Sequence, residues 1–155
     1  MQKIKPWLWF DDQAEDAAKF YVSVFERSKI NDVSRYGDEG PGPAGQVMVV
    51  AFELDGVEFM ALNGGSSGDY APAFYVECAS QEEVDRLWDR LSEGGETNVC
   101  GWLKDRYGVS WNIVPELFGE LMSKSNDEQR SRVMQAMLQM TKMDCAALQR
   151  AYDGT

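Results

Sequence analysis

Apolar residues in the first part of the chain change from one spacing to another, and this change predicts the order of the secondary-structure elements. An aromatic and branched run predicts a strand at 4–10, and apolar residues at helical spacing predict a helix at 14–25. Asp11 or Asp12 is expected to cap the start of that helix. Period-two alternation then predicts three further strands, at 29–36, 46–54 and 57–63.

Turn-forming residues divide these strands from one another. Asp55-Gly56 is a strong two-residue turn signal and predicts a hairpin between the last two strands. The segment 37–45 is rich in glycine and proline and is expected to be a loop. The run Asn-Gly-Gly-Ser-Ser-Gly at 63–68 is the predicted linker to the second half of the chain.

The same order of elements is predicted again after the linker. A strand is expected at 73–78 and a helix at 81–92, which Gly94-Gly95 ends. Shorter strands are expected near Thr97, at 100–104 and at 109–115, with a turn at 105–108 between the last two.

Strand, helix and three strands therefore occur twice. The predicted fold class is α+β, with a first βαβββ module at 3–65, a second at 71–116 and a helical tail at 117–155, all in a single domain.

The tail is expected to contain two helices. Ser125 and Glu128 fit a capping box for a helix that runs to about Thr141, and Asp144 is expected to cap a second, shorter helix. The first of these helices carries several methionines, which suit adaptable apolar contacts. Core packing against the sheet is predicted for this stripe, with a dimer surface or a cavity lid as alternatives.

The chain is acidic, with 26 Asp and Glu against 15 Lys and Arg among its 155 residues and a formal net charge of −11. Nucleic acid and anionic membrane surfaces are not expected as partners, because their phosphate groups would be repelled. No apolar stretch approaches the roughly 18 residues of a membrane span, and no signal peptide is recognisable. A soluble, cytoplasmic protein is expected.

Histidine is absent, which removes the commonest metal ligand and the commonest general base near neutral pH. Serine–histidine and cysteine–histidine nucleophile pairs are therefore excluded, as is any histidine-bearing zinc site. Cys78, Cys100 and Cys145 are widely spaced without a CxxC motif and are expected to be reduced thiols.

Five segments carry a resemblance to a known family: 6–21 (PWLWFDDQAEDAAKFY), 59–65 (FMALNGG), 100–105 (CGWLKD), 108–111 (GVSW) and 133–140 (VMQAMLQM). They resemble the vicinal-oxygen-chelate superfamily (VOC; glyoxalase, bleomycin-resistance and dioxygenase proteins), and within it the PhnB-like branch, often labelled 3-demethylubiquinone-9 3-methyltransferase-like. The resemblance implies that the two modules form a curled mixed sheet around a cleft, and that the protein is a homodimer that binds a small organic molecule. The superfamily includes isomerases, dioxygenases, thiol transferases and binding proteins, so the fold leaves the reaction open.

The metal ligands of metal-using relatives supply a further expectation. Their four positions fall at Pro6, Ala61, Tyr75 or one of the two residues before it, and Asn112. Proline and alanine have no side-chain donor, an asparagine offers one neutral oxygen, and a tyrosine is protonated near neutral pH. No metal and no other cofactor is expected. A site for S-adenosylmethionine is not expected either, because the glycine-rich segment 37–45 lies between two strands rather than between a strand and a helix.

The same positions predict which side chains face the cleft, since facing alternates along a strand. The facing of Trp102 depends on a hairpin turn and stays open. The candidate ligand-binding residues are Leu8, Phe10, Phe59, Asn63, Tyr75, Glu77, Trp102, Ser110 and Asn112. The other four tryptophans are expected in the core: Trp7, Trp9, Trp88 and Trp111.

Three functions are compatible with these residues. The predicted one is a metal-independent small-molecule-binding protein of the glyoxalase/bleomycin-resistance type. The alternative is a metal-free enzyme in which Glu77 or Tyr75 transfers a proton on a small organic substrate, provided that burial shifts the pKa of the carboxyl group. A solvated or arginine-paired Glu77 would argue against it. The third is an interaction protein that docks through the methionine-rich tail.

Overall fold

Each half of the chain folds as the repeated pattern predicts, into a four-stranded sheet with a helix packed on one side. The computed structural model describes residues 2–3, 5–38, 42–65 and 72–155. The chain divides into two compact units, Met1–Tyr70 and Ala71–Thr155. The predicted linker after residue 65, and Ile4 at the start of the predicted first strand, lie outside the described residues.

The first unit contains one helix and a mixed sheet of four strands. Its elements are β1 (Trp7–Phe10), α1 (Ala14–Val24), β2 (Lys29–Arg35), β3 (Val47–Leu54) and β4 (Val57–Asn63). The strand order is β1-β4-β3-β2, with β1 parallel to β4 and the other neighbours antiparallel. Positive φ angles of 50° at Asp55 and 78° at Gly56 confirm the predicted two-residue turn between β3 and β4.

Helix α1 covers one side of this sheet because its apolar residues form a single stripe. Its buried residues are Ala14, Ala17, Ala18, Tyr21 and Val24, and the helix packs on β2, β3 and β4. The rings of Phe52 and Phe59 stack on the helix side of the sheet, with centroids 5.5 Å apart. This side is the core of the first unit, and we call the opposite side its open face.

The second unit repeats this arrangement. Its module consists of β5 (Ala73–Cys78), α2 (Gln81–Ser92), β6 (Glu96–Thr97), β7 (Trp102–Lys104) and β8 (Ser110–Pro115). The strand order is β5-β8-β7-β6, with β5 parallel to β8. Helix α2 packs on this sheet through its predicted apolar face, Val84, Leu87, Trp88 and Leu91. The predicted α+β class with two βαβββ modules is confirmed.

The predicted turn between β7 and β8 is built around one buried carboxylate. Asp105 accepts hydrogen bonds from the backbone N–H groups of Tyr107 (2.8 Å) and Val109 (3.1 Å) and from the indole Nε1 of Trp111 (2.8 Å). The residue is 3% exposed. These three donors replace the hydrogen bonds to water that the side chain loses on burial.

The tail forms three helices, α3 (Glu116–Lys124), α4 (Asp127–Leu138) and α5 (Cys145–Asp153). The sequence pattern predicts only the last two, and α4 ends earlier than expected. Its capping box lies one residue later than predicted, with Asn126 and Gln129 in place of Ser125 and Glu128. Asp144 caps α5 as predicted. No helix within the described ranges is both long and apolar enough to cross a bilayer.

The tail builds a small core of its own within the second unit. Val114 of β8 belongs to this core, together with buried side chains from all three tail helices and the segment before α5: Leu121, Val133, Met143 and Leu148. Met122, Met137 and Met140 are partly buried around the cluster. The methionine-rich stripe therefore packs in part as predicted, but against α3 and α5 rather than against the sheet, and Leu138 at its end is 56% exposed.

An ion pair and a glutamine join the tail to α2. The Asp85 carboxylate lies 2.8 Å from the Lys142 ammonium. Gln81 donates to the carbonyl of Met143 (3.0 Å) and accepts from the N–H of Cys145 (2.7 Å). Hydrogen bonds from Lys142, and then from Gln81, lower the pKa of Asp85, and the bond to Asp85 raises the pKa of Lys142.

The attachment of the tail is therefore expected to depend on pH. Only the ionised carboxylate pairs with Lys142, so the contribution of Asp85 is present at neutral pH and is lost as the pH falls below about 4, through its lowered pKa. The contribution of Lys142 is lost at the alkaline end, as the pH rises through its raised pKa. Asp85→Asn should lower the free energy of unfolding in urea by less than about 1 kcal/mol at neutral pH. If Asp85→Asn lowered the free energy of unfolding by the same amount at a pH below the pKa of Asp85, the ion pair would not have this role.

Candidate functional site

The open face of the first sheet carries two tryptophans. Trp7 is 45% exposed and Trp9 is half-buried. In the register of β1 and β4 they pair with Met60 and Leu62, which are also half-buried. The prediction that Trp7 and Trp9 belong to the core is therefore wrong.

The residues predicted to face a cleft in this unit lie on the helix side instead. Leu8 is fully buried, and Phe10 and Phe59 are nearly so. The prediction takes Ala61 as a cleft-facing position, but Ala61 pairs with Leu8 and is also fully buried. Because facing alternates, an offset of one residue reverses every side chain of a strand, and both β1 and β4 are reversed in this way.

Asn63, the fourth predicted ligand-binding residue of this unit, has a structural role. It is 3% exposed, and its Oδ1 accepts a hydrogen bond from the N–H of Ala14 at 2.8 Å. Its Nδ2 donates to the carbonyl of Val47 at 3.0 Å, and its own carbonyl accepts from the Tyr36 hydroxyl at 2.6 Å. One side chain thus joins the end of β4 to α1 and to β3.

This arrangement also corrects the predicted helix cap. Neither Asp11 nor Asp12 caps α1, because Gln13 occupies the N-cap position and makes no side-chain cap bond. The first turn of a helix leaves N–H groups without intrahelical partners. Asn63 supplies an acceptor for one of them from a strand that lies later in the chain.

A β-bulge brings a further side chain to the open face. In the pairing of β2 with β3, Ser34 lies opposite Val49 and Arg35 lies opposite Val47, so Met48 is an extra residue in β3. Strict alternation from the buried Val50 would bury Met48 and expose Val47. The bulge reverses this order, because Val47 is buried and Met48 lines a cavity.

That cavity, of about 470 Å³, opens where β1 and β4 end. Trp9, Tyr36, Met48 and Leu62 form its apolar walls, and Asp11 and Gln46 add polar groups. The other lining residues are Gly42, Pro43, Asn63, Gly64 and Gly65. A mostly apolar wall with a few polar side chains, at this size, is typical of a small-molecule site.

Two glycines allow backbone to lie directly against the aromatic walls. A Cβ atom added at Gly64 would lie 2.4 Å from a ring carbon of Trp9, and one added at Gly42 would lie 2.4 Å from a ring carbon of Tyr36. The Trp9 indole also donates to the carbonyl of Gly65 at 3.3 Å. Any side chain at Gly64 or Gly42 would displace an aromatic ring, so these glycines position the walls of the cavity.

Gly64→Ala is expected to move the Trp9 ring and change the shape of the cavity. The displacement should shift the indole N–H resonance of Trp9 in a ¹H–¹⁵N spectrum, where Trp9→Phe identifies the peak. Gly37→Ala is the matched control, because a Cβ atom at Gly37 meets nothing within 4 Å. An unchanged Trp9 resonance in Gly64→Ala would show that the ring is not held by this contact.

In the second unit the alternation agrees with the prediction. Tyr75, Asn112 and Trp102 form one row across β5, β8 and β7 on the side opposite α2. Tyr75 is 59% exposed and Trp102 is 40% exposed, which settles the facing of Trp102. Ser110 and Glu77 share this face, whereas Trp88 and Trp111 are buried as predicted.

The two candidates for proton transfer in this row have unsuitable environments. Partial burial and the neighbouring Glu77 carboxylate raise the pKa of the Tyr75 phenol above its ordinary value of about 10. Tyr75 therefore stays protonated near neutral pH and can donate a hydrogen bond but not accept a proton. Glu77 is exposed, so the burial that the enzyme hypothesis requires is missing.

The tail covers one end of the same face. Val114, two residues after Asn112, is buried in the tail cluster. Asn112 donates its amide Nδ2 to the carbonyl of Cys100 at 3.0 Å, and the N–H of Cys100 donates to the carbonyl of Met140 at 2.8 Å. Asn112 is thus tied into the turn that contacts the tail.

Comparison with known proteins agrees with this fold. Residues 2–114 match the family model described as 3-demethylubiquinone-9 3-methyltransferase. The PhnB protein of Bacillus cereus is 36% identical, with a TM-score of 0.67, over 74% of this chain and 99% of that one. The chain belongs to this PhnB-like family. The family is a branch of the VOC superfamily, as the sequence resemblance implies.

More distant structures share the fold alone. Protein PA1353 from Pseudomonas aeruginosa is 22% identical, with a TM-score of 0.61, over 74% of this chain and 99% of that one. A mutant of the fosfomycin resistance protein FosX from Listeria monocytogenes, solved with Mn(II) and a dihydroxypropylphosphonic acid, is 18% identical, with a TM-score of 0.53, over 73% and 92%. The search of curated proteins found no match. The family match ends at residue 114, so the resemblance at 133–140 lies outside it.

The described residues at the ligand positions of metal-using relatives do not fit a divalent metal ion in this PhnB-like chain. Because the facing of β1 and β4 is reversed, the open-face side chains next to the predicted positions Pro6 and Ala61 are Trp7, Trp9, Met60 and Leu62, and none of them is an oxygen or nitrogen ligand. Asn112 is bonded to Cys100, and Tyr75 is protonated. Throughout the described ranges, no three acidic or cysteine side chains are grouped as metal ligands. One neutral amide and one phenol are too weak a donor set.

The family model is named after a methyltransferase. None of the described strand-to-helix junctions, however, has the glycine-rich turn that binds a nucleotide-like cofactor. Such sites use a glycine-rich turn between a strand and the N-terminus of a helix. The residues between β1 and α1 are Asp11-Asp12-Gln13, those between β5 and α2 are Ala79-Ser80, and α3 follows β8 directly. The glycine-rich segment 37–45 joins the antiparallel strands β2 and β3.

Proposed function

We propose that this PhnB-like protein binds a small organic molecule in the cavity of its first unit, without a metal ion, in the manner of the glyoxalase/bleomycin-resistance proteins that the sequence resembles. The cavity is the observation that carries the proposal. Its volume suits a small ligand, and its walls combine two aromatic rings with Met48 and Leu62.

The two aromatic walls are already held in place. Trp9 lies against Gly64 and bonds to Gly65, and Tyr36 donates its hydroxyl to the carbonyl of Asn63. A cavity whose side chains are ordered before binding loses little conformational entropy when the ligand enters. This ordering supports a binding site rather than an incidental groove.

Binding without turnover is supported by the chemistry of the side chains. The chain has no histidine, Tyr75 is held protonated, and Glu77 is exposed to solvent. The alternative, a metal-free enzyme that uses Glu77 or Tyr75, therefore has no observation in its favour. Activity that depends on Glu77 and is lost in Glu77→Gln would restore it.

A homodimer in the cytoplasm is a further part of the proposal. It rests on the family resemblance and on the composition, and it is consistent with three free cysteines. Light scattering in solution should give twice the chain mass of 17.5 kDa. If light scattering at micromolar concentration gave the mass of a single chain, the dimer would be contradicted and the binding proposal would still stand.

The proposal is tested by native mass spectrometry of untagged protein, purified gently from its own host without chelators. The expected spectrum contains an organic adduct and no metal. Stoichiometric divalent metal in place of the adduct would contradict metal-independent binding.

Two tryptophan variants locate the adduct. Trp9→Ala removes a wall of the cavity and should abolish the adduct. Trp102→Ala removes an exposed tryptophan of the second unit, which does not line the cavity, and should leave the adduct unchanged. The opposite pattern would move the binding site to the face formed by Tyr75, Asn112 and Trp102.

A further inference from the structure

The charges around the cavity point to the class of its ligand, an inference that rests on the proposed function. Asp11 is the sole ionisable acid or base among the eleven lining residues apart from the Tyr36 phenol, and none of the eleven is lysine or arginine. Asp11 is exposed at the start of the β1–α1 junction. It forms no ion pair with any residue in the described part of the chain.

The cationic side chains of the first unit lie outside the cavity wall. Four of its six lysines and arginines are paired with acidic side chains: Lys5 with Glu58, Lys19 with Glu15, Arg27 with Asp55 and Lys29 with Glu53. Arg35 donates to the carbonyl of Gly45 at 3.1 Å, in the loop that borders the cavity, but does not line it. Lys3, the sixth, is exposed and does not line the cavity either. None of the six cations of the first unit therefore lies beside Asp11 in the cavity wall.

The net charge of the first unit has the same sign as the Asp11 carboxylate. The first 70 residues contain 12 acidic against 6 basic side chains, a net charge of −6. A cleft of one sign raises the local concentration of oppositely charged ligands and repels anions. An anionic ligand would have to approach Asp11 without a counter-charge.

Trp9, an aromatic wall of the same cavity, indicates a second property of the ligand. A cation over an indole face is attracted by the ring quadrupole, and tryptophan is the best of the aromatic residues for this contact. Trp9 and Asp11 line the same cavity two positions apart, on β1 and directly after it. Met48 and Leu62 supply apolar surface that would exclude water from the contact.

We propose that the cavity takes an organic cation with a flat apolar group, whose ring lies against Trp9 and whose positive charge faces Asp11. The carboxylate supplies the charge preference, and the indole with its apolar neighbours supplies the preference for a flat ring. A simple ammonium ion lacks the ring, and a neutral aromatic molecule leaves Asp11 without a partner.

Three probes of nearly the same shape test this proposal by calorimetry near neutral pH: 1-methylquinolinium (cation), quinoline (neutral) and 1-naphthoate (anion). The cation should bind at least about tenfold more tightly than quinoline, as expected for a positive charge held about 4 Å from a carboxylate near a protein surface, and naphthoate should bind most weakly. Asp11→Asn should remove most of this preference while quinoline binding stays unchanged.

Asp12→Asn is the matched control, because Asp12 carries the same charge one residue later, is exposed, and does not line the cavity. It should leave the preference intact. Equal binding of the cation and quinoline, or a preference that survives Asp11→Asn, would overturn the cation proposal while leaving a neutral-ligand site in place. Failure of all three probes to bind would overturn both this inference and the proposed cavity function.

Discussion

Asp105→Ala is expected to lower the free energy of unfolding by about 4 kcal/mol, among the largest effects of any substitution in this chain. The substitution removes the acceptor for three N–H groups, of Tyr107, Val109 and Trp111. Two of these bonds are buried, and a buried donor without a partner costs about 1–3 kcal/mol. Urea unfolding followed by tryptophan fluorescence measures the change.

Two variants separate this explanation from a general loss of charge. Trp111→Phe removes the indole donor alone and should cost less than Asp105→Ala. Asp89→Ala removes an exposed carboxylate on α2 of the same unit and should change the free energy by less than about 0.5 kcal/mol. If Asp105→Ala were no more destabilising than Asp89→Ala, the carboxylate would not be organising the turn.

Asn63→Ala is expected to be nearly as damaging, at about 3 kcal/mol. It leaves two groups without partners, the N–H of Ala14 at the start of α1 and the carbonyl of Val47 in β3. Both bonds are buried and join segments far apart in the sequence. Urea unfolding, together with hydrogen exchange of the Ala14 amide, measures the loss.

Asn63→Asp provides the internal comparison. It keeps an oxygen for the N–H of Ala14, where a negative charge near a helix N-terminus is favourable. It also places an oxygen against the carbonyl of Val47, in place of the Nδ2 donor. Protection of the Ala14 amide should therefore survive in Asn63→Asp and fall in Asn63→Ala, and equal loss in both would contradict the capping role.

The elements themselves could be predicted from the sequence, because their periods are local. The bounds of β4, β5 and α2 agree with the prediction residue by residue. Helix α3 is absent from the prediction, although Leu117, Phe118, Leu121 and Met122 have helical spacing. Its start directly after a strand, without a turn signal, hides the change of period.

The facing of side chains was predictable only in the second unit. There the period-two pattern and the family positions agree, and Tyr75, Glu77, Ser110 and Asn112 share one face. In the first unit, apolar residues occupy both faces of β1 and β4, so that Trp7 and Trp9 look no more exposed than Leu8 and Phe10. In a strand that is apolar on both sides, the period-two pattern does not show which set of side chains faces the helix side of the sheet.

The cavity could not be predicted from the sequence pattern, for a different reason. Its shape depends on contacts between residues that are distant in sequence, such as Gly64 against Trp9, and on the bulge at Met48. Gly42 and Gly64 read as loop and linker residues in the sequence. Only the fold shows that an aromatic ring lies where their side chains would be.

The bond from Asn63 to Ala14 also sets an order of events in folding. Its partners are 49 residues apart, whereas the three donors to Asp105 lie within six residues of it. Contacts that close long loops form late, because more chain entropy is lost before they are made. During synthesis, the first turn of α1 therefore lacks this partner until residue 63 has left the ribosome, while the Asp105 turn is complete as soon as its own few residues emerge.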